Sequence, residues 1–208
     1  MGFLIFAVCL CASTIGGICG IGGGVIIKPV LDALGLMSVS AISFLSGISA
    51  MMMAAISVFR QRKLHLVEVR TGSLLAVGSI VGGIAGYSLF QAIRAAAQQD
   101  ALVGMVQAIL LGLVTLLTLV YSAFLRSRLR SYEVKAPAAC IAIGCLMGLL
   151  SSFLGIGGGP INLAILYFAF SMTTKKAAAN SLYIILCSQL ANLVTYLVRG
   201  TVPAFPWP

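Results

Sequence analysis

The chain has 208 residues, of which 61% are hydrophobic and only 8% charged, and its mean hydropathy is +1.13. Soluble domains carry roughly 25% charged residues, so this composition excludes a water-soluble globular protein and defines an integral membrane protein in a lipid bilayer. The formal charge of +9 would suit a polyanion binder, but the basic residues lie in links between apolar stretches and carry no interleaved aromatics, which argues against a nucleic-acid partner.

Stretches without Asp, Glu, Lys or Arg run over 1–27, 33–59, 71–93, 101–125, 136–174 and 177–198. Each has the ~20 residues that a bilayer-crossing helix needs. None alternates apolar and polar residues as a membrane β-barrel strand does. The expected fold is all-α, a polytopic transmembrane bundle. The N-terminus lacks a positive n-region and runs on into glycines without a clear cleavage site, so it reads as a retained first span rather than a signal peptide.

The first stretch ends in Gly20-Ile21-Gly22-Gly23-Gly24, followed by a short apolar arm over 25–36. A straight helix through both arms would be ~50 Å long against a ~30 Å hydrocarbon core, so the segment must bend, tilt or re-enter. Lys28 and Asp32 stand four apart on one face of the short arm, either pairing near the membrane surface or making Lys28 a charge that draws anions.

The second span carries Ser43, Ser46 and Ser49, and the link after it holds Arg60, Arg62, Lys63, Arg70 and the single histidine, His65. A lone loop imidazole reads as solvated and makes no metal site. Gly78, Gly82 and Gly86 on the third span have the spacing of a helix contact face. A second basic link holds Arg126, Arg128, Arg130 and Lys135, and Arg199 follows the last span. The positive-inside rule makes these groups cytoplasmic, together with the N-terminus, and leaves Arg94, Lys175 and Lys176 on the other side.

The pentapeptide returns at Gly155-Ile156-Gly157-Gly158-Gly159, followed by Pro160. Laying residue n on residue n+135 superposes the two runs and also matches Ile26 with Ile161, Leu31 with Leu166, Met37 with Met172 and Ser46 with Ser181. The chain therefore divides into a first repeat over 1–130 with four hydrophobic segments and an incomplete second over 136–208 with two. On that plan two spans of the second repeat are missing, through truncation or in a six-span form completed by oligomerisation. Four spans between the copies would give both the same orientation, unless a glycine segment re-enters and inverts one repeat.

Glycine runs at membrane depth break a helix where it lines a site, and matching breaks in two halves point to a transporter binding site. Each break frees backbone N–H groups at a helix start that carries roughly +0.5 charge, which suits an anion. Pro160 fits such a start, since the N–H it lacks would be unpaired. The expected substrate-binding residues are Gly20, Gly22, Gly23, Gly24, Gly155, Gly157, Gly158, Gly159 and Pro160, with Ser46, Asn162, Asn180 and Ser181 completing the site; Ser43, Ser49, Gln189 and Asn192 are further polar candidates. The glycine motif lacks the Lys-Ser/Thr of a P-loop. No nucleophile, base and orienting group can be assembled, so no enzyme and no cofactor are expected. Cys9, Cys11, Cys19, Cys140, Cys145 and Cys187 lie inside spans and read as packing residues.

The two elements Gly20-Ile-Gly-Gly-Gly-Val-Ile-Ile-Lys-Pro29 and Gly155-Ile-Gly-Gly-Gly-Pro160, with Phe44-Leu-Ser-Gly-Ile-Ser49 and Ala179-Asn-Ser-Leu-Tyr183 in the following spans, resemble the sulfite exporter TauE/SafE family, or toluene sulfonate uptake permeases. Lys28 departs from the apolar residue or Thr more usual there. The resemblance implies two four-helix halves and a bacterial inner-membrane carrier for sulfite, sulfonate or a related organosulfur anion, working by alternating access. A channel-like pore for a small solute and a membrane thiol-electron carrier are the competing readings.

Overall fold

The computed structural model describes residues 2–35, 37–61, 66–97, 100–121, 124, 134 and 136–203. Its elements are helices: α1 (Gly2–Cys19), α2 (Gly24–Leu34), α3 (Val39–Gln61), α4 (Val69–Ala97), α5 (Asp100–Val120), α6 (Pro137–Leu154), α7 (Gly159–Phe170) and α8 (Thr174–Arg199). The expected all-α membrane bundle is what the chain forms. Helices α3, α4, α5, α6 and α8 are long and apolar enough to cross a bilayer, while α2 and α7, with 11 and 12 residues, are not.

Packing fixes the directions of the helices. The start of α4 meets the start of α8, where Lys176 Nζ lies 3.0 Å from Glu68 Oε1 and the Glu68 amide donates to Asn180 Oδ1 at 3.2 Å. At this Glu68 end α3 also finishes. Helix α6 runs alongside α4 in the same direction, with Gly78 against Ile141, Gly82 against Cys145 and Gly86 against Leu149, while Gly144 and Gly148 abut Leu75 and Ser79. The small-residue spacing on α4 is thus a close helix contact, and α6 supplies the matching half of the seam. Helix α7 returns to the Glu68 end, where Leu166, Tyr167 and Met172 pack with Leu75 and Ala177.

The first glycine segment is arranged the other way up. Ile5 and Cys9 of α1 pack with Leu31, Met37 and Ile42, and Gly17 reaches Met53 and Ser57 near the end of α3. Helix α1 therefore starts at the opposite end of the bundle, marked by Tyr87, and α2 returns there. Each glycine segment is a hairpin that enters and leaves by one end. Among the described residues three crossings, α3, α4 and α5, separate the hairpins, so of the two arrangements left open by the sequence it is the re-entrant one that occurs, and the hairpins point in opposite directions.

The charge placement changes with it. Arg60, Arg70, Lys175 and Lys176 share the Glu68 end, whereas the Arg199 guanidinium sits 5.7 Å from the Tyr87 ring centroid at the other end, toward Arg94. The expectations that Lys175 and Lys176 oppose Arg60, and that Arg199 and the N-terminus share its side, are corrected, because a hairpin adds no net crossing. Arg62, Lys63, His65, Arg126, Arg128, Arg130 and Lys135 lie outside the described residues.

Helix α4 fills the face formed by α6 and α8. The corresponding face of α1 and α3 is an apolar groove of about 1190 Å³, lined by Phe6, Leu10, Ile18, Met52 and Ile56 among others. On α1 it presents Cys9, Ser13 and Gly17, which fall on Gly144, Gly148 and Ser152 of the α6 seam when n is laid on n+135.

Candidate functional site

Helix α1 stops because Gly20 and Gly22 adopt φ of 71° and 82°, and α6 stops because Gly155 and Gly157 adopt 66° and 77°. Other L-residues are strained in this left-handed region, so the doubled glycines make the doubled turns. The turns cross in the bundle core. Gly24 packs on the carbonyl of Ile156 and Gly159 on the carbonyl of Ile21, contacts in which a Cβ at either glycine would collide with backbone. The two contacts exchange under the n+135 correspondence.

The crossing brings the starts of α2 and α7 together inside the protein, where Gly24, Gly159, Pro160, Ile161 and Asn162 are all buried. The first N–H groups of each helix lack intrahelical partners and carry its positive dipole end. Around them Ser46 Oγ, Ser151 Oγ and Asn162 Oδ1 are buried without a hydrogen-bond partner. Ser46 Oγ lies 2.7 Å from where a Gly24 Cβ would be, and Ser151 Oγ and Asn162 Nδ2 lie 2.8 and 3.1 Å from the same point on Gly158. An unsatisfied buried polar group costs about 1–3 kcal/mol. Such atoms beside the two helix starts suit a polar ligand.

Other sequence-predicted residues have different surroundings. Ser181 Oγ donates to the Gly20 carbonyl at 3.1 Å, fastening the first turn to α8. Ser49 faces the α1–α3 groove. Asn180 is not brought to the crossing: its Oδ1 accepts from the Glu68 amide, and its Nδ2 donates to the carbonyls of Leu66 (3.3 Å) and Lys176 (2.8 Å). It anchors the link before α4. Asn180→Ala is expected to lower stability by about 1–3 kcal/mol and leave anion affinity unchanged, as thermal melts with and without anion would read.

Lys28 does not turn outward to pair with Asp32. It is 1% exposed, and its ammonium donates to Ser43 Oγ (3.0 Å), Gln107 Oε1 (2.6 Å) and the Leu154 carbonyl (2.8 Å). Gln107 in turn donates through Nε2 to the Phe153 carbonyl at 2.5 Å. These bonds join α2, α3 and α5 to the end of α6. Sequence reasoning missed Gln107, Ser151 and Ser152; the signal for Gln107 is a lone amide in an otherwise apolar span, where polar side chains are costly and serve a purpose.

Beside the crossing, Ser43, Gly47, Ser152, Gly155, Gln189 and Asn192 line a cavity of about 30 Å³, room for one or two waters. Toward the Tyr87 end it is covered by Phe44, Tyr87 and Tyr196, whose rings stack edge to face with Tyr196 at centroid distances of 4.9 and 4.5 Å. The Tyr87 hydroxyl bonds Thr201 Oγ1 (2.5 Å) and accepts from Gln91 Nε2 (2.7 Å), which ties these rings to the segment after α8.

Two oppositely directed broken hairpins meeting at a buried polar crossing are the architecture of a secondary transporter, and the class is a multi-pass helical membrane transport protein. More particularly, the chain belongs to the sulfite exporter TauE/SafE family, whose sequence model matches residues 5–207. It is 26% identical over 208 residues to the Probable membrane transporter protein MJ0441 of Methanocaldococcus jannaschii, covering 95% of this chain and 73% of that protein. It is 23% identical over 231 residues to the Probable membrane transporter protein YunE of Bacillus subtilis, covering 97% and 81%. No solved structure gives a significant match.

Proposed function

We propose that this membrane transporter exports a small anion, sulfite, sulfonate or a related organosulfur anion, by alternating access around the crossed glycine turns. The observation that carries the reading is the meeting of two helix starts with the unpartnered polar atoms of Ser46, Ser151 and Asn162. Helix starts favour anions through free amides and dipole together. Gly20, Gly22, Gly23, Gly24, Gly155, Gly157, Gly158, Gly159 and Pro160 supply the backbone of the site, and Ser181 holds one turn in place.

Residues 1–130 and 136–208 act as related repeats, with the opposed hairpins as their inverted cores, and one rocks against the other. The Glu68 end, carrying Arg60, Arg70, Lys175 and Lys176, faces the cytoplasm of a bacterial inner (plasma) membrane. The start of α1 then lies on the outer side. A cavity of about 30 Å³ under an aromatic cover favours a carrier over an open pore.

Moving one anion out of a negative interior gains ~2.3 kcal/mol per 100 mV. Proteoliposomes loaded with sulfite should therefore release it in a saturable manner, faster when the interior is made negative. Release indifferent to potential argues against export of net charge, and fast non-saturating flux would establish the pore instead.

A further inference from the structure

The groove on α1 and α3 holds about 1190 Å³, and its wall changes character along its length. On α3 the lining follows one helix face from Leu45 through Ile48, Met52 and Ile56 to Arg60. From Leu45 to Gln61 that face runs for about 24 Å at 1.5 Å per residue, most of the ~30 Å hydrocarbon core. Arg60 and Gln61 close the groove at the Glu68 end, with Ser57 one turn deeper. At the Tyr87 end the lining is Gly2, Ile5, Phe6, Met37 and Leu45, without charge.

Shape argues against a helix as the occupant. The matching face of α6 admits α4 because Gly144 and Gly148 let the backbones of Leu75 and Ser79 come into contact. Under the n+135 correspondence α1 carries Cys9 and Ser13 at those positions, and their side chains bar a second helix from the same approach. Phe6, Leu10, Ile18 and Met52 line the opening as well, each more than half exposed. A thin, flexible chain fits between such side chains. Charge then selects its headgroup. Among the described residues Arg60 has no acidic partner, and the guanidinium fork matches phosphate geometry.

We propose that the groove binds an anionic phospholipid, with its phosphate held by Arg60 and Gln61 and an acyl chain lying along Ile56, Met52 and Ile18. An acyl chain spans one leaflet, about 15 Å or half of the core, which carries it from Arg60 past Met52. Basic residues between helices at the cytoplasmic surface are a recurrent place for anionic headgroups. Gly17 of α1 packs on Met53 and Ser57 of α3 beside this path, so a lipid lying across both helices braces the first hairpin from outside. The site is separate from the crossed turns and does not depend on which anion is carried.

Dioleoylphosphatidylglycerol and dioleoylphosphatidylcholine are the probes, since they share acyl chains and differ in headgroup charge. Binding to the full purified chain, stripped of lipid in detergent, is read by native mass spectrometry and by the shift in thermal unfolding. The wild type is expected to bind phosphatidylglycerol about fivefold more tightly, the preference that one near-surface cation supplies. Arg60→Gln should erase this preference and leave phosphatidylcholine binding as it was. Arg70→Gln, at the same end but outside the groove, should preserve it. Met52→Trp fills the groove and should weaken both lipids at least fivefold.

Equal binding of the two lipids by the wild type would overturn the proposal, as would phosphatidylglycerol binding unchanged by Arg60→Gln and Met52→Trp. A preference lost equally with Arg70→Gln would show a general surface charge and no built site. A dimer that Met52→Trp dissociates would put a second copy in the groove and overturn it too. None of these readouts requires transport, so failure of the carrier reading and failure of the lipid site are told apart.

Discussion

Gly159→Ala is expected to cost about 4 kcal/mol or more, in the range reached only when a substitution strikes a specific structural constraint, and to abolish transport. The added Cβ would lie on the Ile21 carbonyl group. A side-chain neighbour could rotate away, at the ~1–3 kcal/mol typical of overpacking. The backbone of the opposite turn has no such freedom without pulling the two hairpins apart. Gly24→Ala strikes the reciprocal contact with Ile156 and should behave alike. Gly112→Ala is the control: Gly112 sits within α5, with nothing within 4 Å of its added Cβ, so the helix gains about 1 kcal/mol. Thermal unfolding in detergent, with sulfite efflux on the same preparations, measures all three. A Gly159→Ala protein that folds and transports normally would show that the crossing is not a fixed contact.

Much of this arrangement was legible in the residues. The arms expected over 25–36 and from Pro160 onward fall on α2 and α7, because three consecutive glycines at membrane depth leave a helix few alternatives. Orientation was not legible. A stretch of 27 uncharged residues reads as one crossing, and only the packing of Ile5 and Cys9 with Leu31 and Met37 reveals a return to the same end. That reversal moves Lys176 to Glu68 and Arg199 to Tyr87. Of the residues expected at the site, the glycines and Ser46 come together at the crossing. Asn180 lies instead at the link before α4, because a polar residue in an apolar span can serve a backbone as readily as a ligand. Lys28 looked like half of an i, i+4 pair, and its inward turn depends on Gln107, far away in sequence.

The α4–α6 seam gives the second large effect. Gly82→Leu is expected to eliminate folded protein, and Gly82→Ala to destabilise it markedly, because the Cβ of either meets the backbone of Cys145. In a bilayer, helices associate through packing and polar contacts rather than hydrophobic burial, so separating these backbones forfeits a contact that lipid replaces only partly. Since the obstruction is backbone, shortening the facing side chain makes no room, and Cys145→Gly should not rescue Gly82→Ala. Gly47 provides the contrast. Its added Cβ would meet Gln189 Oε1 at 2.8 Å, the far end of a flexible side chain. Gly47→Ala should therefore be tolerated, and any defect should be relieved by Gln189→Ala. Yields of monodisperse protein from detergent extracts would separate the two cases: rescue at position 82 by Cys145→Gly would mean that α4 and α6 adjust their spacing freely, and that the seam does not hold the second hairpin in place.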